Sequence, residues 1–104
     1  MQIEISYRDI DKSDAIEARV HESVEKAVGR FSERVTRIEV HLGDHNAHKK
    51  GPDDKRCMIE ARPAGADPLV AEAHDEDLYK AIGQASDKIR SVLTRHFERQ
   101  ADRG

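Results

Sequence analysis

The sequence predicts an α+β domain of order βαβββα, a four-stranded mixed sheet with two helices packed on one face. Three observations predict it. Two stretches carry apolar residues at three- and four-residue steps, the period of a helix with one buried face. Four others alternate apolar and polar residues, the period of a half-buried strand. One helical stretch lies between the first two strand patterns, and such a unit usually pairs its strands in parallel through a right-handed crossover. A chain of 104 residues is long enough for one such two-layer core.

Ile3, Ile5 and Tyr7 alternate with Gln2, Glu4, Ser6 and Arg8, which sets a first strand from about Gln2 to Arg8. Asp11-Lys12-Ser13-Asp14 breaks that pattern. Ser13 is a candidate N-cap because its hydroxyl can accept from an unpaired backbone N–H, and Glu17 supports the same turn by charge. Ile16, Val20, Val24, Ala27, Val28 and Phe31 then recur at helical spacing, predicting a helix from Asp14 to Phe31. Ile38, Val40 and Leu42 alternate with Arg37, Glu39 and His41 as the second strand. Gly43 to Asp54 is polar, has Gly51-Pro52 near its centre and follows neither period, so a long, mobile hairpin loop is expected.

Cys57, Ile59 and Ala61 alternate with Met58, Glu60 and Arg62 as the third strand. Pro63 to Pro68 reads as a turn, and Leu69, Ala71 and Ala73 alternate with Val70, Glu72 and His74 as the fourth strand. The last helix has the clearest pattern: Leu78, Ile82, Ala85, Ile89, Val92, Leu93 and His96, running from Asp77 to about Phe97. Asp75, Glu76 and Asp77 sit at its N-terminal end and Arg90, Arg95 and Arg99 in its later turns, both complementary to the helix dipole. One domain is expected over residues 1–99, with residues 100–104 as a short tail.

Charged residues make up 38% and hydrophobic ones 37%, yet the apolar positions are periodic, which argues against disorder. The lone cysteine, Cys57, forms no disulfide within the chain and fits a reducing, cytoplasmic setting. It reads as a small buried hydrophobe. No apolar stretch approaches the roughly 20 residues that span a bilayer, and Met1-Gln2-Ile3-Glu4 does not open a signal peptide, so no membrane partner is expected. A formal net charge of −3 argues against coating nucleic acid by bulk electrostatics; contact with RNA would need a local patch. From Asp87 to Arg99 four cations face two anions, a surplus that suits phosphate but also suits the helix dipole alone. Aromatics, at 4%, are too few for a base-stacking platform.

His41, His45 and His48, beside Asp44, are weak candidates for a metal, without any Cys-x-x-Cys or His-Glu-x-x-His spacing in support. The glycines are scattered and make no phosphate loop. Tyr79 reads as packing at the first turn of the last helix. No cofactor and no enzymatic activity are expected.

Asp77-Leu78-Tyr79-Lys80-Ala81-Ile82 followed by Asp87-Lys88-Ile89 resembles the ribosome hibernation-promoting factor and ribosome-associated inhibitor family, also called the sigma-factor modulation family. Met1-Gln2-Ile3, Ser13-Asp14-Ala15-Ile16 and Arg30-Phe31 extend the resemblance over nearly the whole chain, to about Arg95. The resemblance implies a fold related to double-stranded RNA-binding domains. It also implies binding to the small ribosomal subunit and its ribosomal RNA, where messenger and transfer RNA would sit, so that idle ribosomes are silenced under stress. Arg8, Lys26, Lys88 and Arg95 match the family's basic pattern. Arg30, Arg90, Arg99 and the loop residues Lys49 and Lys50 add candidate RNA contacts. The chain departs from that pattern at Glu17, Ser23 and Ser91 and in its longer loop. By resemblance it is a short form, a monomer or weak homodimer, which blocks single ribosomes or pairs them with a partner hibernation factor. A protein-interaction module of the same fold, using the polar sheet face or the His-Lys loop, is the alternative.

Overall fold

Alternation at the start of the chain produces β1 (Gln2–Arg8), in which Ile3, Ile5 and Tyr7 are half-buried and the residues between them exposed. The computed structural model describes residues 1–46 and 50–103. After β1 comes α1 (Asp14–Val28), and the Ser13 hydroxyl accepts from the Ile16 backbone N–H at 3.1 Å, as an N-cap does. The predicted helix to Phe31 ends as α-helix at Val28 and tightens into a 3-10 turn over Gly29–Phe31. Glycine's poor helix propensity accounts for the change, and Phe31 is buried there, its ring stacked 5.1 Å from that of Phe97.

The other strands are β2 (Val35–Asp44), β3 (Lys55–Pro63) and β4 (Leu69–Asp75). The sheet runs in the order β1-β2-β3-β4, with β1 parallel to β2 and the remaining pairs antiparallel. The βαβββα expectation holds, but the hairpin loop is shorter than Gly43 to Asp54. Gly43 pairs with Arg56 and Asp44 with Lys55, so the loop covers only residues 45–54. Cross-strand pairing overrides the local polarity, helped by Lys55 Nζ lying 2.6 Å from Asp44 Oδ2. At the ends of the loop the His45 N–H donates to Asp54 O at 2.9 Å, and Asn46 Nδ2 donates to Pro52 O at 2.7 Å. Two candidates from the loop, His48 and Lys49, lie outside the described residues.

The last helix, α2 (Leu78–Arg103), has 26 residues. Residues 100–103, expected as part of a tail, continue it; Gln100, Ala101, Asp102 and Arg103 include no glycine or proline to stop a helix. Its apolar stripe packs on β3, β4 and α1. Val20, Val24 and Val28 of α1, Ile82, Ile89 and Leu93 of α2, and Ile38 and Ile59 of the sheet have 0% exposure. Each such side chain contributes about 1.5–3 kcal/mol by leaving water. Both helices therefore cover one sheet face, and the other is left open.

This topology sorts the termini of the elements. β1 and β2 end, β3 and α2 begin, and α1 begins at the end of the molecule that carries the hairpin loop. Both helices finish at the opposite end.

Candidate nucleic-acid interface

The helix α2 holds six cations (Lys80, Lys88, Arg90, Arg95, Arg99 and Arg103) against three anions (Asp87, Glu98 and Asp102). Because the whole chain is net negative at −3, the rest of it must be acidic on balance. Asp9, Asp11, Asp44, Asp53, Asp54, Asp75 and Asp77 gather at the hairpin end, whereas Lys26, Arg30, Arg95 and Arg99 occupy the end where the helices finish. A chain of negative net charge thus carries a last helix in which cations outnumber anions.

On α2, at about 100° per residue, Lys88, Val92, Arg95 and Arg99 fall within about 60° of one another. This flank faces the β4 edge: Lys88 Nζ donates to the Glu72 carbonyl at 2.9 Å, and Arg95 and Arg99 line a shallow hollow with Leu69, Val92 and His96. Arg90 and Thr94 fall on the opposite flank, toward α1. There Lys26, Ser23, Ala27, Gly83, Ser86, Asp87 and Arg90 line a cleft between the helices, in which the buried Ser86 hydroxyl has no hydrogen-bond partner among the described residues. Arg30 closes the same side by donating to Thr94 Oγ1 at 3.3 Å, its guanidinium 4.6 Å from the centre of the Phe31 ring. Among the described residues, Lys26, Arg95 and Arg99 are engaged by no ion pair and no hydrogen bond. The candidate cations of the helical layer therefore form two rows, with the exposed Ser91 between them.

The open sheet face is different, because its charges neutralise one another. Arg62 Nη2 lies 3.4 Å from Glu39 Oε2 and 3.6 Å from Glu60 Oε1, and Arg37 Nη2 lies 3.7 Å from Glu39 Oε2. Farther along, Arg56 Nη2 lies 2.9 Å from Glu72 Oε2 and His74 Nε2 lies 2.6 Å from Glu72 Oε1. Hydrogen bonds from Arg56 and then His74 hold the Glu72 carboxyl down at about 2. Glu72, and after it Asp54, raise the His74 imidazole above its ordinary value. Cations so committed have little left for phosphate.

Arg8 is exposed at the end of β1, beside a hollow lined by His41, His45, Arg56 and Met58, and Lys50 is exposed in the hairpin loop. Both sit at the hairpin end, away from Arg95 and Arg99, so the eight candidate cations among the described residues are not one patch. Arg34 was missed: its guanidinium lies 4.0 Å from the centre of the Phe97 ring, next to Arg30. Its only sequence signal was a cation in a turn. The histidine candidates also separate, His45 grouping with Asp54 and His74, and His41 with Glu39 and Glu60.

Residues 3–101 match the family model described as sigma 54 modulation protein / S30EA ribosomal protein. The chain is 32% identical over 105 residues to a ribosome hibernation promoting factor of Azotobacter vinelandii, covering 99% of this chain and 89% of that protein. It is 28% identical over 98 residues to the chloroplastic ribosome-binding factor PSRP1 of Spinacia oleracea, covering 93% of this chain and 32% of that longer protein. Among solved structures, a ribosomal subunit interface protein from Coxiella burnetii superposes with a TM-score of 0.74 at 19% identity, covering 94% of this chain and 99% of that one. The N-terminal domain of Thermus thermophilus Protein Y gives 0.72 at 23% identity, covering 91% and 94%. At these identities the structural likeness is one of fold.

Proposed function

Because the chain belongs to the sigma 54 modulation protein / S30EA ribosomal protein family, we propose that it is a ribosome-associated translation inhibitor. In this reading it is a cytoplasmic binding module without catalysis that occupies the small ribosomal subunit and silences idle ribosomes under stress. The observation that carries the reading to particular residues is the double row of cations on the helical layer. Lys26, Arg30 and Arg90 form one row, Lys88, Arg95 and Arg99 the other. Two parallel rows of cations suit a backbone fold of ribosomal RNA, since lysine and arginine gain by displacing condensed counterions and need not read bases. Arg8 and Lys50 are secondary contacts because they lie at the hairpin end, away from both rows.

The test is co-sedimentation with purified small ribosomal subunits across a salt series, beside a Lys88→Glu, Arg95→Glu variant. Affinity is expected to fall steeply with salt, and the variant to bind at least about tenfold more weakly with a salt slope shallower by about 2. Absence of binding at low salt overturns the reading and leaves a protein-interaction module of the same fold, whose contacts would depend far less on salt.

A further inference from the structure

Three side chains from separate parts of the chain converge at the hairpin end: His45 just beyond β2, Asp54 just before β3, and His74 on β4. One ligand atom from each lies within 4.8 Å of the other two. The placement is held by the fold. The His45 N–H bond to Asp54 O, at 2.9 Å, closes the hairpin and brings the first two together. The His45 and His74 rings meet edge to face with centroids 5.2 Å apart.

His74 is oriented further by groups behind it. Its Nδ1 lies 2.9 Å from Asp54 Oδ1, while its Nε2 lies 2.6 Å from Glu72 Oε1, and Glu72 Oε2 accepts from Arg56 Nη2 at 2.9 Å. An imidazole whose far N–H is held by a carboxylate, leaving the near nitrogen turned toward other donors, is the arrangement that orients histidine ligands on metals.

We propose that His45, Asp54 and His74 bind a borderline divalent cation, zinc in the first instance, with Glu72 and Arg56 as positioning residues and water completing the shell. Two imidazoles and a carboxylate are a donor set that suits zinc. A tetrahedral ion about 2.0–2.2 Å from each donor needs donors about 3.4 Å apart, a separation the exposed His45 ring reaches by side-chain rotation while Glu72 keeps His74 in place. The ion takes the place of the proton between His74 Nδ1 and Asp54, which leaves to solvent. Bound there, it cross-links the hairpin loop to β4. The other carboxylate-histidine group, Glu39, His41 and Glu60, is already engaged: Arg37 and Arg62 pair with the carboxylates, and Ser6 Oγ lies 2.8 Å from His41 Nδ1. The site stands independently of ribosome binding.

The experiment is calorimetric titration of the chelator-treated chain with zinc chloride, combined with imidazole ¹⁵N NMR of the unaltered protein. Saturable binding of about one zinc per chain is expected, weakened more than tenfold by His45→Ala or Asp54→Asn, about tenfold by Glu72→Gln, and unchanged by His41→Ala. In the wild-type spectrum the ring nitrogens of His45 and His74 should move and those of His41 should not, a readout that needs no variant to fold. Absence of saturable binding, shifts confined to other histidines, or variants that bind like the wild type would overturn the proposal.

Discussion

Cys57 is fully shielded from solvent between Arg56 and Met58 on β3, and burial pushes its thiol up to about 12 despite the opposing influence of Arg56. Its alternation with Ile59 and Ala61 was enough to read it as a small buried hydrophobe. An aromatic disulfide reagent is therefore expected to leave the native protein unmodified and to react once denaturant unfolds it. The pH dependence has a definite sign. Below about pH 8.5 the thiol is protonated in both states and its contribution is fully present. Above that the unfolded thiol ionises first, so stability falls as pH rises toward the folded value near 12. Denaturant titrations at pH 7.5 and 10 should show wild type losing about 2 kcal/mol more than Cys57→Ala over that interval.

At the scale of an element, both helices start on side chains that accept backbone hydrogen bonds. Ser13 caps α1 through Ile16. At α2 two of the three consecutive acids divide the work. Asp77 Oδ1 accepts from the Tyr79 N–H at 2.8 Å, while Asp75 accepts from the Asp77 N–H at 2.9 Å and from Gln84 Nε2 at 3.0 Å. Ser13→Ala should destabilise the protein by about 1 kcal/mol and Ser13→Gly by only a few tenths, measured as shifts in the urea midpoint at constant m-value. The element ends were the least legible feature. β2 and β3 outran their alternation because Gly43 and Asp44 pair with Arg56 and Lys55 at one end and Val35 with Pro63 at the other, and α2 ran past Phe97 because solvent-facing turns need no apolar residue.

For the whole molecule, the direction of each element decides where charge collects. Helices that finish at the same end bring Lys26 and Arg30 near the level of Arg95 and Arg99, while the hairpin end collects aspartates. The two flanks of α2 make separate predictions for ribosome binding. Lys26→Glu, Arg90→Glu on the inner row and Lys88→Glu, Arg95→Glu on the outer row should each weaken co-sedimentation with small subunits. The quadruple variant should lose about the product of the two factors if the rows contact different phosphates. Equal loss in one double variant and in the quadruple would place the contact on a single row.

Periodicity by itself determined the order of elements, the inward face of each strand and the buried face of both helices, because one-sided burial leaves its period in the local sequence. Short motifs were enough to mark the family, as the match over residues 3–101 bears out. Only the tertiary structure decided which charges are neighbours. The six candidate cations of the helical layer divide into two rows because α2 has α1 on one flank and the β4 edge on the other. His45, Asp54 and His74 meet because β3 pairs with β4 in a register that brings His74 beside Arg56. The sequence spacing put His45 with His41 and His48 instead. Proximity along the chain is a poor guide across a sheet, where hydrogen-bond register sets the distances.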